Sequence, residues 1–181
     1  MFGRRDASSR AELMREALAY ADALHDFAYH LSANATEADD LVQETYARAL
    51  GAADQFTAGT NLKAWLFRIL QHLYIDSYRR QRDRRTEGGL DTTDGEAAAP
   101  QGDRAQHEIE QGQLKQVVGH EIEAALMMLP PEARLVVLFD LQGFSEAEMA
   151  SLLGCAPGTV KSRLYRARAV LRELLRDHRE R

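Results

Sequence analysis

The sequence predicts an all-α protein, with two small helical domains joined by a flexible acidic linker. Long stretches rich in Leu, Ala, Glu and Arg favour helices, and the chain has only four prolines. It contains no run of alternating Val, Ile and Thr of the kind that indicates a strand. Residues 86–106 are rich in Gly, Asp, Thr and Ala and lack apolar periodicity, which is typical of a solvated, self-repelling linker. We therefore expect domains at 1–85 and 114–181, with the linker at 86–113.

Three helices are predicted before the linker, over 10–32, 36–53 and 61–84. Thr36 is the candidate N-cap of the second helix, because the acidic residues that follow it favour the positive end of a helix dipole. Asn61 is the candidate cap of the third, with Thr60 as the alternative. The packing stripe of the third helix consists of Leu66, Ile69, Leu70 and Leu73, with Trp65 at its edge.

Four more helices are predicted after the linker, over 107–128, 131–142, 145–153 and 157–177. Pro131 suits the first turn of a helix. Gly143 is expected to stop that helix, and Ser145 to cap the next one. Gly154 allows a sharp reversal of the chain before the last helix begins at Pro157.

Charge is unevenly distributed along the chain, although the formal total is only -5. Residues 61–85 carry seven basic and two acidic side chains, and residues 156–181 carry eight and three. Two compact basic segments in an otherwise acidic chain indicate two separate anion-binding surfaces. The acidic linker is interpreted as a spacer, with shielding of a basic surface as the alternative.

Several classes of protein are disfavoured by the composition. No run of about 18 apolar residues indicates a membrane span, and the N-terminus lacks the apolar segment of a signal peptide. Cys155 is the sole cysteine, so a reducing cytoplasm is expected. We interpret Cys155 as a small buried residue at a turn, with a redox sensor as the alternative. The six histidines are scattered and no Gly-rich phosphate loop is present, so we expect no catalytic residue, cofactor or metal site.

The C-terminal end has the pattern of a DNA-binding helix-turn-helix: a short helix, a glycine turn and a basic second helix. At 100° per residue, one face of the last helix is apolar and turns inward. The opposite face starts with Gly158, which permits close approach, and continues with side chains that donate to phosphates or base edges. The expected DNA contacts are Thr159, Lys161, Ser162, Arg163, Tyr165, Arg166 and Arg168. The alternative is a solvated amphipathic helix.

The third helix and the loop before it form a second candidate nucleic-acid site. Arg68, His72, Ile75 and Arg79 share one stripe, and more arginines follow, which suits a phosphate backbone. The loop 56–61 combines an aromatic ring, a glycine and hydrogen-bonding side chains, so it suits a base flipped out of a duplex. On the second helix, an acidic and polar face suits a basic protein partner, with an ordinary solvated face as the alternative.

Three segments carry a family resemblance. Region 4 of the extracytoplasmic-function (ECF) sigma factors, small members of the sigma-70 family, is similar to residues 129–168, LPPEARLVVLFDLQGFSEAEMASLLGCAPGTVKSRLYRAR. The family's segment that docks on the polymerase β′ clamp helices resembles residues 35–50, ATEADDLVQETYARAL. The segment that opens and reads the -10 element resembles residues 56–85, FTAGTNLKAWLFRILQHLYIDSYRRQRDRR. The pairing of DDLVQET with NLKAWLFRIL and GTVKSRL makes the resemblance specific.

The resemblance implies a sigma factor that directs core RNA polymerase to promoters, with no catalysis of its own. Residues 1–85 would be region 2 and residues 114–181 region 4, which would read the -35 element and meet the β flap. Among the subgroups of the family, this sequence is most similar to the stress-responsive one, which is controlled by an anti-sigma factor. The implied -10 contacts are Phe56, Gly59, Thr60, Asn61, Arg68, His72, Asp76, Arg79 and Arg80. The implied polymerase contacts are Asp39, Asp40, Leu41, Gln43 and Glu44.

Two positions depart from the family pattern. His72 stands where the family usually has asparagine, beside an unusual Gln71, which puts the preferred -10 base in doubt. Ala147 replaces a bulkier residue of the helix-turn-helix. The rival interpretation is a conventional helix-turn-helix regulator that binds a palindrome as a dimer through an N-terminal sensor domain; a small-molecule enzyme is a more distant one.

Overall fold

The computed structural model describes residues 3–57, 59–87 and 119–179. In these ranges the regular structure is helical, with no strand. The N-terminal domain contains α1 (Gly3–Leu18), α2 (Ala21–Ser32), α3 (Ala35–Gly51), a 3₁₀ turn (Ala53–Gln55) and α4 (Leu62–Glu87). The C-terminal domain contains α5, described over 119–127, followed by α6 (Pro131–Leu141), α7 (Glu146–Leu153) and α8 (Pro157–Arg179). The linker lies mostly outside the described residues, as does the first part of the helix predicted at 107–128.

Two details of the N-terminal domain differ from the sequence prediction. The helix predicted over 10–32 is divided into α1 and α2 by a turn at residues 19–20. Thr36 is not the cap of α3: the side chain of Asn34 accepts a hydrogen bond from the backbone N–H of Glu37 at 3.0 Å. Asn34 takes this role because Ala33 adopts the left-handed conformation, with φ 51°, so that α2 and α3 are separated by only two residues.

The helix boundaries of the C-terminal domain follow the predicted signals. Pro131 is the first residue of α6. Ser145 caps α7 through a capping box, in which its side chain accepts from the Glu148 backbone and the Glu148 carboxylate accepts from the Ser145 backbone. Gly154 ends α7 with φ 61°, a conformation that favours glycine. These features fix the tight turn between α7 and α8.

The two domains pack against each other through a shared aromatic cluster. Phe27 of α2 and Phe67 of α4 lie 5.0 Å apart between ring centroids. Phe139 of α6 lies 4.9 Å from Phe27, and Phe144 lies 5.3 Å from Phe67. Phe27, Phe67 and Phe139 are fully buried. The sequence predicts two domains, and in the described residues these two domains share a continuous core.

A buried arginine reinforces this contact. Arg134 of α6 is 4% exposed, and it donates to the carbonyls of Leu126 and Leu129 in its own domain and of Leu31 in the other. Its guanidinium also lies 3.5 Å from the Tyr74 hydroxyl. Burial lowers the pKa of Arg134, because removing the cation from water disfavours its charged form. The arginine therefore joins the end of α5 to the end of α2.

None of the described helices is long and apolar enough to cross a bilayer.

Candidate nucleic-acid interface

The last helix, α8, has one buried and one open face. Val160, Leu164 and Ala167 are buried against the rest of the C-terminal domain, as the periodicity predicted. On the opposite face Tyr165 is 72% exposed. A surface groove of 700 Å³ runs along this face and is lined in part by Gly158, Lys161, Ser162, Tyr165, Arg166, Arg168 and Arg172. Most of the predicted -35 contacts therefore lie together on one accessible surface.

Two of the predicted DNA contacts are held in ion pairs. Arg163 lies 2.8 Å from Glu132 of α6, and Arg168 pairs with Asp140 at the other end of that helix. Such partly exposed pairs contribute little stability, but they fix the direction of two side chains at the edges of the groove. Within the described part of the chain, the side-chain hydrogen bond of Arg166 goes to the carbonyl of Ser162, one turn back on its own helix, at 3.3 Å. Lys161 and Arg166 are exposed, so both are accessible to a ligand.

The loop before α4 brings together most of the predicted base pocket. Phe56 packs against Trp65, with ring centroids 5.1 Å apart, and Gly59 adopts φ +86°, which strongly favours glycine. The Thr60 hydroxyl donates to the carbonyl of Thr57 at 2.7 Å. Asn61 caps α4, since its side-chain oxygen accepts from the backbone N–H of Ala64 at 3.0 Å. The prediction of Asn61 as the cap is confirmed, and Trp65 is only partly buried.

The basic stripe of α4 is exposed over most of its length. His72, Asp76, Arg79 and Arg80 all lie at the surface, and Arg80 also donates to the carbonyl of Asp76 at 3.2 Å. At the N-terminal end of α4, exposed side chains also contact the C-terminal domain. The Asn61 amide donates to the Glu148 carboxylate at 3.1 Å, and Arg68 donates to the Ser151 hydroxyl at 3.0 Å.

A groove of about 450 Å³ lies between α3 and α4; it is acidic on its α3 side, and its α4 side includes one basic side chain, Arg80. Asp40, Glu44 and Leu41 line it on the α3 side, together with Glu37. Leu41 is buried, whereas Asp39 and Gln43 are exposed on the same helix. Burial, followed by the nearby Asp40 carboxylate, raises the pKa of Glu37, because both disfavour a further negative charge. Asp39 lies 3.2 Å from His25, and Glu44 lies 2.9 Å from Arg48.

Sequence reasoning missed three residues that shape these surfaces. Lys63 received no role, yet it donates to the carbonyl of Gln142 and its ammonium lies 4.9 Å from the Phe144 ring centroid. Asn34 lines the groove between α3 and α4. Glu148 lies on a predicted helix, but no contact with the other domain was predicted for it. A capping asparagine at position 34 was readable from the sequence, whereas the contacts of Lys63 and Glu148 depend on how the domains dock.

A helix-turn-helix with a basic, open second helix, together with a separate basic helix in another domain, defines a helical DNA-binding protein of two domains. Residues 17–84 match the model for sigma-70 region 2, and residues 119–171 match the model for sigma-70 region 4. The chain belongs to the sigma-70 family, in its ECF group, and is a promoter-recognition factor of RNA polymerase.

Individual relatives agree with this assignment. The chain is 41% identical over 164 residues to the ECF RNA polymerase sigma factor EcfG of Rhodopseudomonas palustris, covering 90% of this chain and 84% of that protein. Its structure is similar to that of the sigma factor RpoE of Bartonella quintana, solved in complex with the anti-sigma factor NepR, with a TM-score of 0.69, 32% identity and coverage of 91% and 97%. It is also similar to CnrH, solved with the cytosolic domain of CnrY, with a TM-score of 0.64, 27% identity and coverage of 94% of each chain.

Proposed function

We propose that the C-terminal domain, region 4 over residues 114–181, reads the -35 element with the open face of α8. The observation that carries this proposal is the groove along α8, whose exposed lining combines a glycine at the helix N-terminus with Lys161, Ser162 and Arg166. A helix that starts with small residues enters a major groove closely, and lysine and arginine donate to guanine edges and phosphates. Arg163 and Arg168 contact the flanking phosphates, held there by their ion pairs with α6.

Region 2, over residues 1–85, reads the -10 element as an unpaired strand. The exposed His72, Arg79 and Arg80 follow the phosphate backbone along α4. Phe56, Gly59, Thr60 and Asn61 receive a base flipped out of the stack. The packing of Phe56 on Trp65 supports this role, since a ring that is already held in place forms a stacking surface without further ordering.

The groove between α3 and α4 binds the core polymerase. Asp40 and Glu44 line the groove and Leu41 forms its apolar floor, while Asp39 and Gln43 extend the polar face on α3. Such a surface complements a basic, partly apolar partner, and the resemblance of this segment identifies the β′ clamp helices as that partner. Region 4 meets the β flap in the same assembly, and the linker over 86–113 allows the two domains to separate to the spacing of a promoter.

Regulation follows the pattern of the similar structures, two of which contain a partner of the sigma factor. An anti-sigma factor binds this chain and covers its polymerase-binding faces, and its release starts a stress response. The chain works in the cytoplasm as an initiation factor and has no enzymatic activity of its own.

Initiation in vitro tests the proposal. The purified chain is added to core polymerase with a library of promoter sequences, and specific transcripts are sequenced to identify both elements. We expect transcripts that require a -35 and a -10 element at fixed spacing. Binding of a dimer to a palindrome without core polymerase, and no initiation with it, would instead support the conventional regulator. The matched control is the double variant Asp40→Ala and Glu44→Ala, which should lose initiation while its binding to duplex DNA is retained.

A further inference from the structure

The groove along α8 that is assigned to DNA contains one acidic side chain. Glu146 is the single acidic residue among the nine described residues that line this groove. It is the first residue of α7 and is exposed. Four of the other lining residues are cationic, namely Lys161, Arg166, Arg168 and Arg172. A polyanion that binds these cations therefore has a carboxylate beside it.

The turn between the two helices fixes the position of Glu146 relative to α8. Gly154 ends α7 with φ 61°, and α8 begins at Pro157. Met149 of α7 and Val160 of α8 are both buried in the same core. The start of α7 is therefore held beside the first turns of α8, where a recognition helix meets DNA most closely.

The Glu146 carboxylate is not neutralised by a neighbouring side chain. In the described part of the chain it takes no part in a hydrogen bond or an ion pair, and the arginines at the groove edges pair with Glu132 and Asp140 of α6 instead. The cap of α7 is formed by Ser145 and Glu148. Because Glu146 is neither paired nor needed as a cap, its charge acts fully on an anion that enters the groove.

The place of Glu146 in the motif indicates which part of the DNA it meets. In a helix-turn-helix, the first helix crosses the DNA backbone while the second enters the major groove. Glu146 begins the first helix, so its carboxylate faces phosphates rather than base edges. We propose that Glu146 repels the phosphate backbone and thereby lowers the affinity of region 4 for every duplex, whatever its sequence. This inference rests on the proposed function, in that α8 is assigned to the -35 duplex.

Such a repulsion matters most away from promoters. Genomic DNA offers a very large excess of non-specific sites, and a weaker affinity for all of them leaves more of the free chain available to core polymerase. Once core polymerase holds the chain at a promoter, the -35 contact becomes intramolecular. The high effective concentration of such a contact offsets a weak intrinsic affinity.

Binding of the full chain to a short fluorescein-labelled duplex of mixed sequence tests the proposal. Glu146→Gln removes the charge and keeps the size of the side chain, and it should bind at least about threefold more tightly than wild type at low salt. Its affinity should also fall more steeply with salt, by up to about one additional counterion. Circular dichroism checks that the variant is folded, because an acidic residue in the first turn also favours the helix dipole.

Two control variants separate the position and the charge of Glu146 from other effects. Glu173→Gln makes the same charge change at an exposed residue of α8 outside the groove lining, and it should alter binding much less. Glu146→Asp keeps the charge and should bind like wild type. Equal gains in Glu146→Gln and Glu173→Gln, or a gain in Glu146→Asp as large as in Glu146→Gln, would overturn the proposal.

Selection from a randomised duplex library distinguishes repulsion from base reading. A carboxylate that accepts from a cytosine amino group favours one C·G pair. In that case Glu146→Gln would lose this preference without binding the mixed duplex more tightly, and the proposal would be wrong. Under the proposal, Glu146→Gln binds all sequences more tightly and keeps the wild-type order of preference.

The double variant Lys161→Ala and Arg166→Ala shows at which level a failure lies. If it binds the duplex as tightly as wild type, the open face of α8 is not the DNA-binding surface, and the proposed function fails together with this inference. If it binds more weakly while Glu146→Gln binds like wild type, the assignment of α8 stands and the inference about Glu146 alone is overturned.

Discussion

Arg134 of α6 donates a hydrogen bond to the backbone carbonyl of Leu31, which lies 103 residues earlier in the chain at the end of α2. The same guanidinium satisfies carbonyls at the end of α5, including those of Leu126 and Met127. One buried cation therefore completes the hydrogen bonding of two helix ends that belong to different domains. An arginine suits this place because its fixed fork of five donors reaches several carbonyls at once.

Replacement of Arg134 should destabilise the protein strongly. Arg134→Met preserves much of the apolar stem but leaves several buried carbonyls without a donor, and we expect the free energy of unfolding to fall by about 2–4 kcal/mol. Urea denaturation followed by circular dichroism measures the loss. Arg172→Ala, an exposed arginine of α8, is the control and should change stability by less than about 0.5 kcal/mol. A similarly small loss of stability in Arg134→Met would show that water molecules donate to these carbonyls in place of the guanidinium.

Asn61 combines a cap with a contact between the domains, and two variants separate these roles. Asn61→Ala removes the acceptor for the Ala64 N–H and should cost about 1 kcal/mol of stability. Asn61→Asp keeps an acceptor at the helix start but faces the Glu148 carboxylate with a like charge. Because the cap is kept, Asn61→Asp should be closer to wild type in stability than Asn61→Ala. Both variants lose the bond to Glu148. Denaturation curves of the two proteins, measured side by side, check this order; an equal loss would assign the whole effect to the domain contact.

The fold of each domain could be predicted from the sequence because its signals are local. The predicted packing residues Leu66, Leu70 and Leu73 are buried, Asn61 caps α4, and Ser145 caps α7. Each of these features depends on helical periodicity or on residues three positions apart. The helix-turn-helix was readable for the same reason, since its apolar face, its glycine turn and its basic face all lie within one short segment.

The docking of the domains could not be predicted from local signals. Phe67 and Tyr74 are buried although they lie outside the stripe assigned to the core of the N-terminal domain, because they face α6 and the segment that follows it. Gln71, singled out only as unusual, is 7% exposed for the same reason. A second apolar stripe on α4 was present in the sequence as Phe67 and Tyr74, but its partner lies in another domain. The assignments of individual DNA and polymerase contacts remain predictions.

Glu148 should make the stability of the protein depend on pH in the acid range. Hydrogen bonds from the Ser145 backbone and hydroxyl, with smaller effects from Asn61 and Lys63, lower the pKa of Glu148 below its ordinary 4.5. A lowered pKa means that the folded state binds its proton less readily than the unfolded chain. The stabilisation is therefore present above pH 4.5 and lost as the pH falls through the folded-state pKa.

Glu148→Gln tests this prediction, because glutamine also suits a capping box but does not titrate. Stability measured between about pH 3 and 6 should fall less steeply on acidification in this variant than in wild type. Glu37→Gln tests a pKa shift of the opposite sign. Burial raises the pKa of Glu37, so the contribution of this residue to folding stability is present at low pH and lost as the pH rises. Removing Glu37 should therefore increase stability near neutral pH. Identical slopes for wild type and Glu148→Gln would contradict the assignment.

His72 should influence which base is preferred in the -10 element. Its side chain is exposed on the stripe that includes Arg68 and Arg79, and an imidazole presents donors and acceptors differently from the asparagine that is usual in the family. His72→Asn should shift the base preference at one -10 position, measured by sequencing transcripts from a randomised promoter library. His120→Asn, an exposed histidine of region 4, is the control. An unchanged preference in the His72 variant would leave this histidine without a role in base selection.

Arg166 should contribute to recognition of the -35 element. It lies in the groove along α8, is exposed, and donates to a carbonyl of its own helix, so Arg166→Ala should not disturb the fold. A good bidentate contact to a base is worth about 1–3 kcal/mol of discrimination, which corresponds to a loss of roughly 5- to 150-fold in -35-dependent initiation.

The control for Arg166 is Arg176→Ala, which removes the same charge further along the same helix. If Arg166 contacts a base, its loss should reduce the preference for one base pair of the -35 element and leave the other positions unchanged. A contact to phosphate should instead weaken initiation from all promoters alike and reduce the salt dependence of binding by about one counterion. An Arg166→Ala protein with wild-type initiation and wild-type promoter preference would exclude Arg166 from the interface and direct attention to Lys161.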